Sequence, residues 1–207
     1  MKKQIGFLGG TFDPIHFGHI NLAIQIKEKF DLEEVIFCPV NVSPSKVNNP
    51  PKSSGKDRLK LVELAIEDIP FFSVTDFEIN KQGPSYTVDT LSHICRQREN
   101  ENIILHFILS EDILLGLELW KDIEEIMKIS SPLIGVGMGS SLNFFEKFSL
   151  QDMEITKKNL VEISKMDICS TDIRERLKKN LYCGHLLPPK VLDCIYKNQL
   201  YYSRISK

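Results

Sequence analysis

The densest run of chemistry-bearing residues is Gly9-Gly10-Thr11-Phe12-Asp13-Pro14-Ile15-His16-Phe17-Gly18-His19. His16 and His19 are three apart at an expected helix start, so their rings share one face. Both rings can donate N–H groups to anionic oxygens, and the helix N-terminus adds about half a positive charge. Gly9 and Gly10 permit a sharp turn with no side chain between backbone and ligand. Thr11, Phe12 and Gly18 complete the run. Together these residues suit a triphosphate. Taken one by one, they also describe a strand–turn–helix corner with two incidental histidines.

A second run, Ile168-Cys169-Ser170-Thr171-Asp172-Ile173-Arg174, has the same character. Ser170 or Thr171 is an expected N-cap, and Asp172 suits the first helical turn. Arg174 then falls near the helix start, beside backbone N–H groups, which makes a second anion site. Read alone, the run also fits a well-capped surface helix.

The first run resembles the T/HxGH signature of the nucleotidylyltransferase superfamily. In its longer form it is similar to the bacterial nicotinate-nucleotide adenylyltransferase family of NAD synthesis, and the similarity runs from Ile5 to Tyr201. The resemblance implies an ATP site at Gly9, Gly10, Thr11, Phe12, Gly18, Asp112, Ser170 and Thr171. His16, His19, Lys46 and Arg174 are its implied catalytic residues. In such enzymes the Ser-x-Thr-x-Ile-Arg element clamps the phosphates from the side opposite the histidines, and Lys46, in Pro44-Ser45-Lys46, binds the β- and γ-phosphates. Gly83-Pro84-Ser85-Tyr86-Thr87 matches the element whose Tyr86 and Thr87 shape a pyridine pocket. Asp112 accepts from ribose hydroxyls, and Trp120, the only tryptophan, stacks a pyridine ring. The implied reaction joins ATP and nicotinate mononucleotide into deamido-NAD and pyrophosphate, with Mg2+ carried by the phosphates and no metal site of the protein's own. Alternative acceptors are nicotinamide mononucleotide and phosphopantetheine. A non-catalytic nucleotide sensor on the same fold is the rival of another class. Four departures from the family are Ser45 for His, Ser110 for Gly, Gly137-Met138 for a basic pair, and Asn180 for the Gly that ends the Arg174 helix, benign because Asn tolerates the left-handed conformation.

The elements that must hold these residues read as an alternation of strands and helices. Ile5–Leu8, Val35–Cys38, a strand within 72–79, Ile103–Leu109, Leu133-Ile134 and Leu160–Ile163 are short apolar runs of buried-strand type. Helical spacing follows at 20–30, 59–69, from Pro84-Ser85 onward, at 114–127, 171–179 and 188–197. Residues 41–56 have loop composition, long enough to be functional or mobile, and 137–152 fit no element. The pattern predicts an α/β fold: a doubly wound, Rossmann-like parallel sheet forming one nucleotidyltransferase domain over 1–207. Residues from about 165 to 207 form a small helical C-terminal part.

Composition bounds the rest. The 26 Lys and Arg against 28 Asp and Glu give a net charge of -2, which argues against a broad nucleic-acid surface. No apolar run approaches membrane-spanning length, so no membrane partner is expected. Five scattered cysteines without a C-x-x-C argue against a disulfide framework or zinc and fit a reducing cytoplasm. No apolar stretch of signal-peptide type follows Met1. The sequence is silent on oligomeric state.

Overall fold

The computed structural model describes residues 2–42, 49–81, 83–114, 116–138 and 157–202. Lys46 and Ser45, and the unassigned stretch beyond Met138, lie outside the described residues. Six strands form one sheet: β1 (Lys3–Gly10), β2 (Glu34–Pro39), β3 (Phe72–Val74), β4 (Ile103–Ser110), β5 (Ser131–Gly137) and β6 (Leu160–Ile163). Their order is β3-β2-β1-β4-β5-β6, and every neighbouring pair is parallel.

The near-continuous apolar strands have a simple cause. Helices cover both faces, so successive side chains enter two cores in turn. Leu8, Phe37, Ile108 and Leu133 face a core shared with α1 (Phe17–Lys29), α2 (Gly55–Ile66), α7 (Ser170–Lys178) and α8 (Pro189–Lys197). Phe7, Ile36, Phe107 and Ile134 face the other, shared with α4 (Thr87–Gln97) and α6 (Ile123–Ile129). From β1 the chain winds outward through β2 and β3; from β4 it winds outward the other way. The order therefore reverses between β1 and β4, and a crevice opens beyond their carboxyl ends, where such sheets bind ligands.

Four local expectations need correction. The helix following Pro84 starts at Thr87, with Tyr86 rather than Ser85 at the N-cap. Ser85 is buried instead, beside the Glu78 carboxyl. The stretch 114–127 is not one helix. A short α5 (Glu111–Leu114) is followed by a 3-10 turn at Leu117–Leu119, and α6 starts after Asp122, whose φ of 52° breaks helical continuity. The loop expected to run to residue 56 ends at Ser54, which caps α2 by accepting from the Asp57 N–H. α2 itself stops at Ile66, short of Ile69. An unforeseen short helix, α3 (Phe77–Asn80), follows β3.

Candidate active site

The carboxyl end of β1 leads into the Gly10–His19 run, and a cavity of about 770 Å³ opens there. Its walls bring together Gly9, Gly10, Thr11, Phe12, His16, Gly18, His19, Asp112, Trp120, Ser170, Thr171 and Arg174. Tyr86 and Thr87 are not among its lining residues. The Lys121 ammonium sits 4.4 Å from the Tyr86 ring centre.

The two histidines form one unit. Their rings stack with centres 3.7 Å apart, and the His16 N–H donates to Nδ1 of His19 at 3.2 Å. An accepting Nδ1 puts the proton of neutral His19 on Nε2, so that edge is the donor. His16 caps α1 and is buried, and burial lowers its pKa to about 4. It is therefore a neutral donor at neutral pH, and its Nδ1 has no hydrogen-bond partner. Gly18 makes room for this ring: a Cβ there would stand 3.0 Å from His16 Nδ1.

Phe12 supports the unit from behind. Its side chain is buried, with φ 47°, and it meets the His19 ring edge-on at 5.0 Å. Any contact of Phe12 with a nucleotide is thus through its backbone. Gly10 lies against the same ring, since a Cβ on it would come within 2.8 Å of Phe12.

Another part of the lining is the start of α7. Its N-cap is Cys169, not Ser170 or Thr171. Those hydroxyls are used otherwise: Ser170 donates to the Pro14 carbonyl at 3.0 Å, and Thr171 accepts from Arg174 Nη2 at 3.0 Å. Arg174 Nη1 donates to the Asp13 carbonyl at 2.6 Å. Two of its five N–H donors are thus spent holding the guanidinium at the cavity.

Three further residues shape the site, and two of them, Arg58 and Glu111, carry no motif signal. Arg58 is fully buried and donates to the carbonyls of Thr11 (2.7 Å), Val40 (2.6 Å) and Asn41 (3.0 Å), which fixes the turn after β1. Its place in the apolar stripe with Leu61, Val62 and Ala65 was the available clue. Asp13 accepts from the N–H groups of Lys52 (2.7 Å) and Ser53 (3.2 Å) and from the hydroxyls of Ser53 (2.6 Å) and Tyr201 (2.9 Å). Glu111 accepts from the Gly137 N–H at 3.1 Å and from Lys165 at 2.9 Å. The Lys165 ammonium thus brings positive charge beside the position where the family has its basic pair.

Comparison with known proteins gives the family. The cytidylyltransferase-like family model matches residues 7–176. A probable nicotinate-nucleotide adenylyltransferase of Clostridium beijerinckii is 36% identical over 208 residues, covering 96% of this chain and 99% of the relative. One from Clostridium botulinum (strain Langeland) is 41% identical over 197 residues, covering 94% and 96%. Among solved structures, the Plasmodium falciparum nicotinic acid mononucleotide adenylyltransferase complexed with NaAD superposes with TM-score 0.75 at 20% identity, covering 96% of this chain and 97% of that one. The same enzyme complexed with APC gives 0.73 at 19% identity, with the same coverage. At that identity the likeness is one of fold.

Proposed function

This chain belongs to the cytidylyltransferase-like family and, within it, to the nicotinate-nucleotide adenylyltransferases, and on that premise we propose the following chemistry for its cavity. The protein transfers the adenylyl group of ATP to nicotinate mononucleotide, giving deamido-NAD and pyrophosphate. A phosphate oxygen of the mononucleotide attacks the α-phosphorus of ATP in line. The bond from that phosphorus to the oxygen bridging to the β-phosphate breaks, and pyrophosphate leaves with the electron pair. Such transfer needs positioning and charge neutralisation more than a protein nucleophile.

The observation that carries this reading is the paired histidine unit at the carboxyl end of β1, which lines one cavity together with Arg174. We assign His19 to the α-phosphate, where its Nε2–H would meet growing negative charge. His16 and Arg174 would hold the β- and γ-phosphates, and Lys46 is assigned there by its motif alone. Asp112 would accept from the ribose hydroxyls. Trp120 would stack the pyridine ring, and Tyr86 and Thr87, at the start of α4, are assigned to its carboxylate by their motif alone.

Enzymes of this family use a divalent ion with ATP, and we propose Mg2+. Asp13 is a poor ligand for it, because its carboxylate already accepts from four donors. The described residues contain no cluster of three or more His, Cys, Asp or Glu that could hold a metal. We infer an ion that arrives on the ATP phosphates and is held mainly by them. The five unpaired cysteines support a cytoplasmic setting. No helix among the described residues is long and apolar enough to cross a membrane.

The test is pyrophosphate release from ATP with nicotinate mononucleotide, nicotinamide mononucleotide or phosphopantetheine as acceptor. Release with the first and little with the others is expected. Faster release with phosphopantetheine would refute the assigned acceptor, and no release with any would refute the activity.

A further inference from the structure

We propose that Asp13 and Tyr201 form a latch that positions the Asn49–Ser53 wall of the nucleotide cavity, which makes Tyr201 a positioning residue for ATP. The proposal rests on the adenylyl-transfer reading for its kinetic consequence, though not for its structural one.

The starting point is where the cavity gets its walls. Asn49, Pro50, Pro51 and Lys52 line it, as does Arg174. This stretch belongs to no helix or strand. Its tie to the site is the Asp13 carboxylate, which takes two consecutive backbone N–H groups, those of Lys52 and Ser53, and the Ser53 hydroxyl. Asp13 itself belongs to the β1–α1 turn, and its own carbonyl takes Arg174. One residue therefore registers two walls of the cavity against each other.

Tyr201 completes this arrangement from the far end of the chain. Its hydroxyl lies 2.9 Å from Asp13 Oδ1 and 2.9 Å from Ser53 Oγ. Burial, and next the Asp13 charge, raise its pKa, so it stays a phenol and a donor. Its backbone is held at φ 67°, a conformation costly for an aromatic residue. Three oxygens in mutual contact share two hydroxyl protons, so both hydroxyls are committed to this one carboxylate. A residue that only covered the end of the core would need the ring and not the hydroxyl.

Removing the hydroxyl therefore separates the two roles. Tyr201→Phe keeps the ring and loses one hydrogen bond to a charged group. The KM for ATP is expected to rise about tenfold, the scale of such a bond, while the KM for nicotinate mononucleotide stays within about twofold. Amide hydrogen exchange at Lys52 and Ser53 is expected to quicken without ATP present. Ser53→Ala, which removes the other hydroxyl, is expected to move both readings the same way. A purely structural tyrosine would lower the active fraction, and so kcat, with both KM values unchanged. An unchanged KM for ATP in active Tyr201→Phe protein, or unchanged exchange at Lys52 and Ser53, overturns the latch. If the wild-type protein releases no pyrophosphate, the adenylyl-transfer reading fails by itself. The exchange rates then decide the latch alone.

Discussion

The backbone N–H of His16 donates to Nδ1 of His19 across 3.2 Å, and the two rings stack 3.7 Å apart. That bond assigns the His19 proton to Nε2 and ties the donor's direction to the first turn of α1. On the proposed reading, the arrangement suits His19 to be a fixed electrophilic donor rather than a general base. Its Nδ1 is occupied, and its Nε2 carries a proton whenever the ring is neutral. His19→Ala is therefore expected to lower kcat by roughly 10²–10³, as loss of a donor at developing charge does elsewhere. The fold should persist, because the ring is only partly buried. Turnover within about threefold of wild type would remove His19 from the transition state.

His16 gives a pH signature in stability. Its folded pKa is lowered to about 4 by burial, against an ordinary 6.5. Between those values the unfolded chain binds the proton and the folded one does not, so this contribution is intact above 6.5 and lost as pH falls toward 4. The full loss is on the order of 3 kcal/mol. Urea unfolding from pH 7.5 down to 4.5 measures it. The wild type is expected to lose more stability over that range than His16→Gln, and parallel curves for the two would contradict the burial account.

Gly18→Ala is expected to separate stability from activity. Position 18 lies in the first turn of α1, where alanine is the better helix former by about 1 kcal/mol. The added Cβ would press on His16 Nδ1 from 3.0 Å and move the ring. A thermal midpoint unchanged or higher, with kcat/KM for ATP down roughly 10–100-fold, is the expected pair of results. A fully active variant would show that the His16 ring position does not matter.

Arg58 is a test of the turn rather than of the chemistry. Arg58→Met fills a similar space but leaves the carbonyls of Thr11, Val40 and Asn41 without their buried donor. A loss of about 3 kcal/mol in unfolding free energy is expected. A loss below about 1 kcal/mol would mean that water or rearrangement replaces the guanidinium at little cost.

The sheet was legible in the sequence because most strands are short apolar runs bounded by turn residues, four-residue β6 among them. The phosphate site was legible because its residues are contiguous: Gly9 to His19 is one segment, and Ser170 to Arg174 another. What escaped were interactions whose partners are far apart along the chain. Asp13 meets Tyr201 across 188 positions, and Arg58 meets Thr11 across 47. No local pattern marks either pair. The C-terminal part read as a small helical addition, yet Ser170, Arg174, Leu186 and Tyr201 all bond into the Asp13–Phe17 turn. The helix after Pro84 starts later than its composition suggests, because Ser85 is buried rather than placed at the helix start.

Acceptor choice tests the central claim most directly. Nicotinate carries an anionic carboxylate and nicotinamide a neutral amide, so a site that matches one leaves donors poorly paired with the other. The start of α4 at Tyr86 has no side-chain cap, and the Lys121 ammonium lies over the Tyr86 ring, so both supply positive potential on that side. Trp120 stacks either ring alike, and Trp120→Ala is expected to weaken both acceptors without inverting their order. The deciding measurement is kcat/KM for pyrophosphate release with each mononucleotide at saturating ATP and Mg2+. The account predicts a value for nicotinate mononucleotide at least about tenfold above that for the amide, the scale of one mismatched charged contact. An equal or larger value for nicotinamide mononucleotide would contradict it.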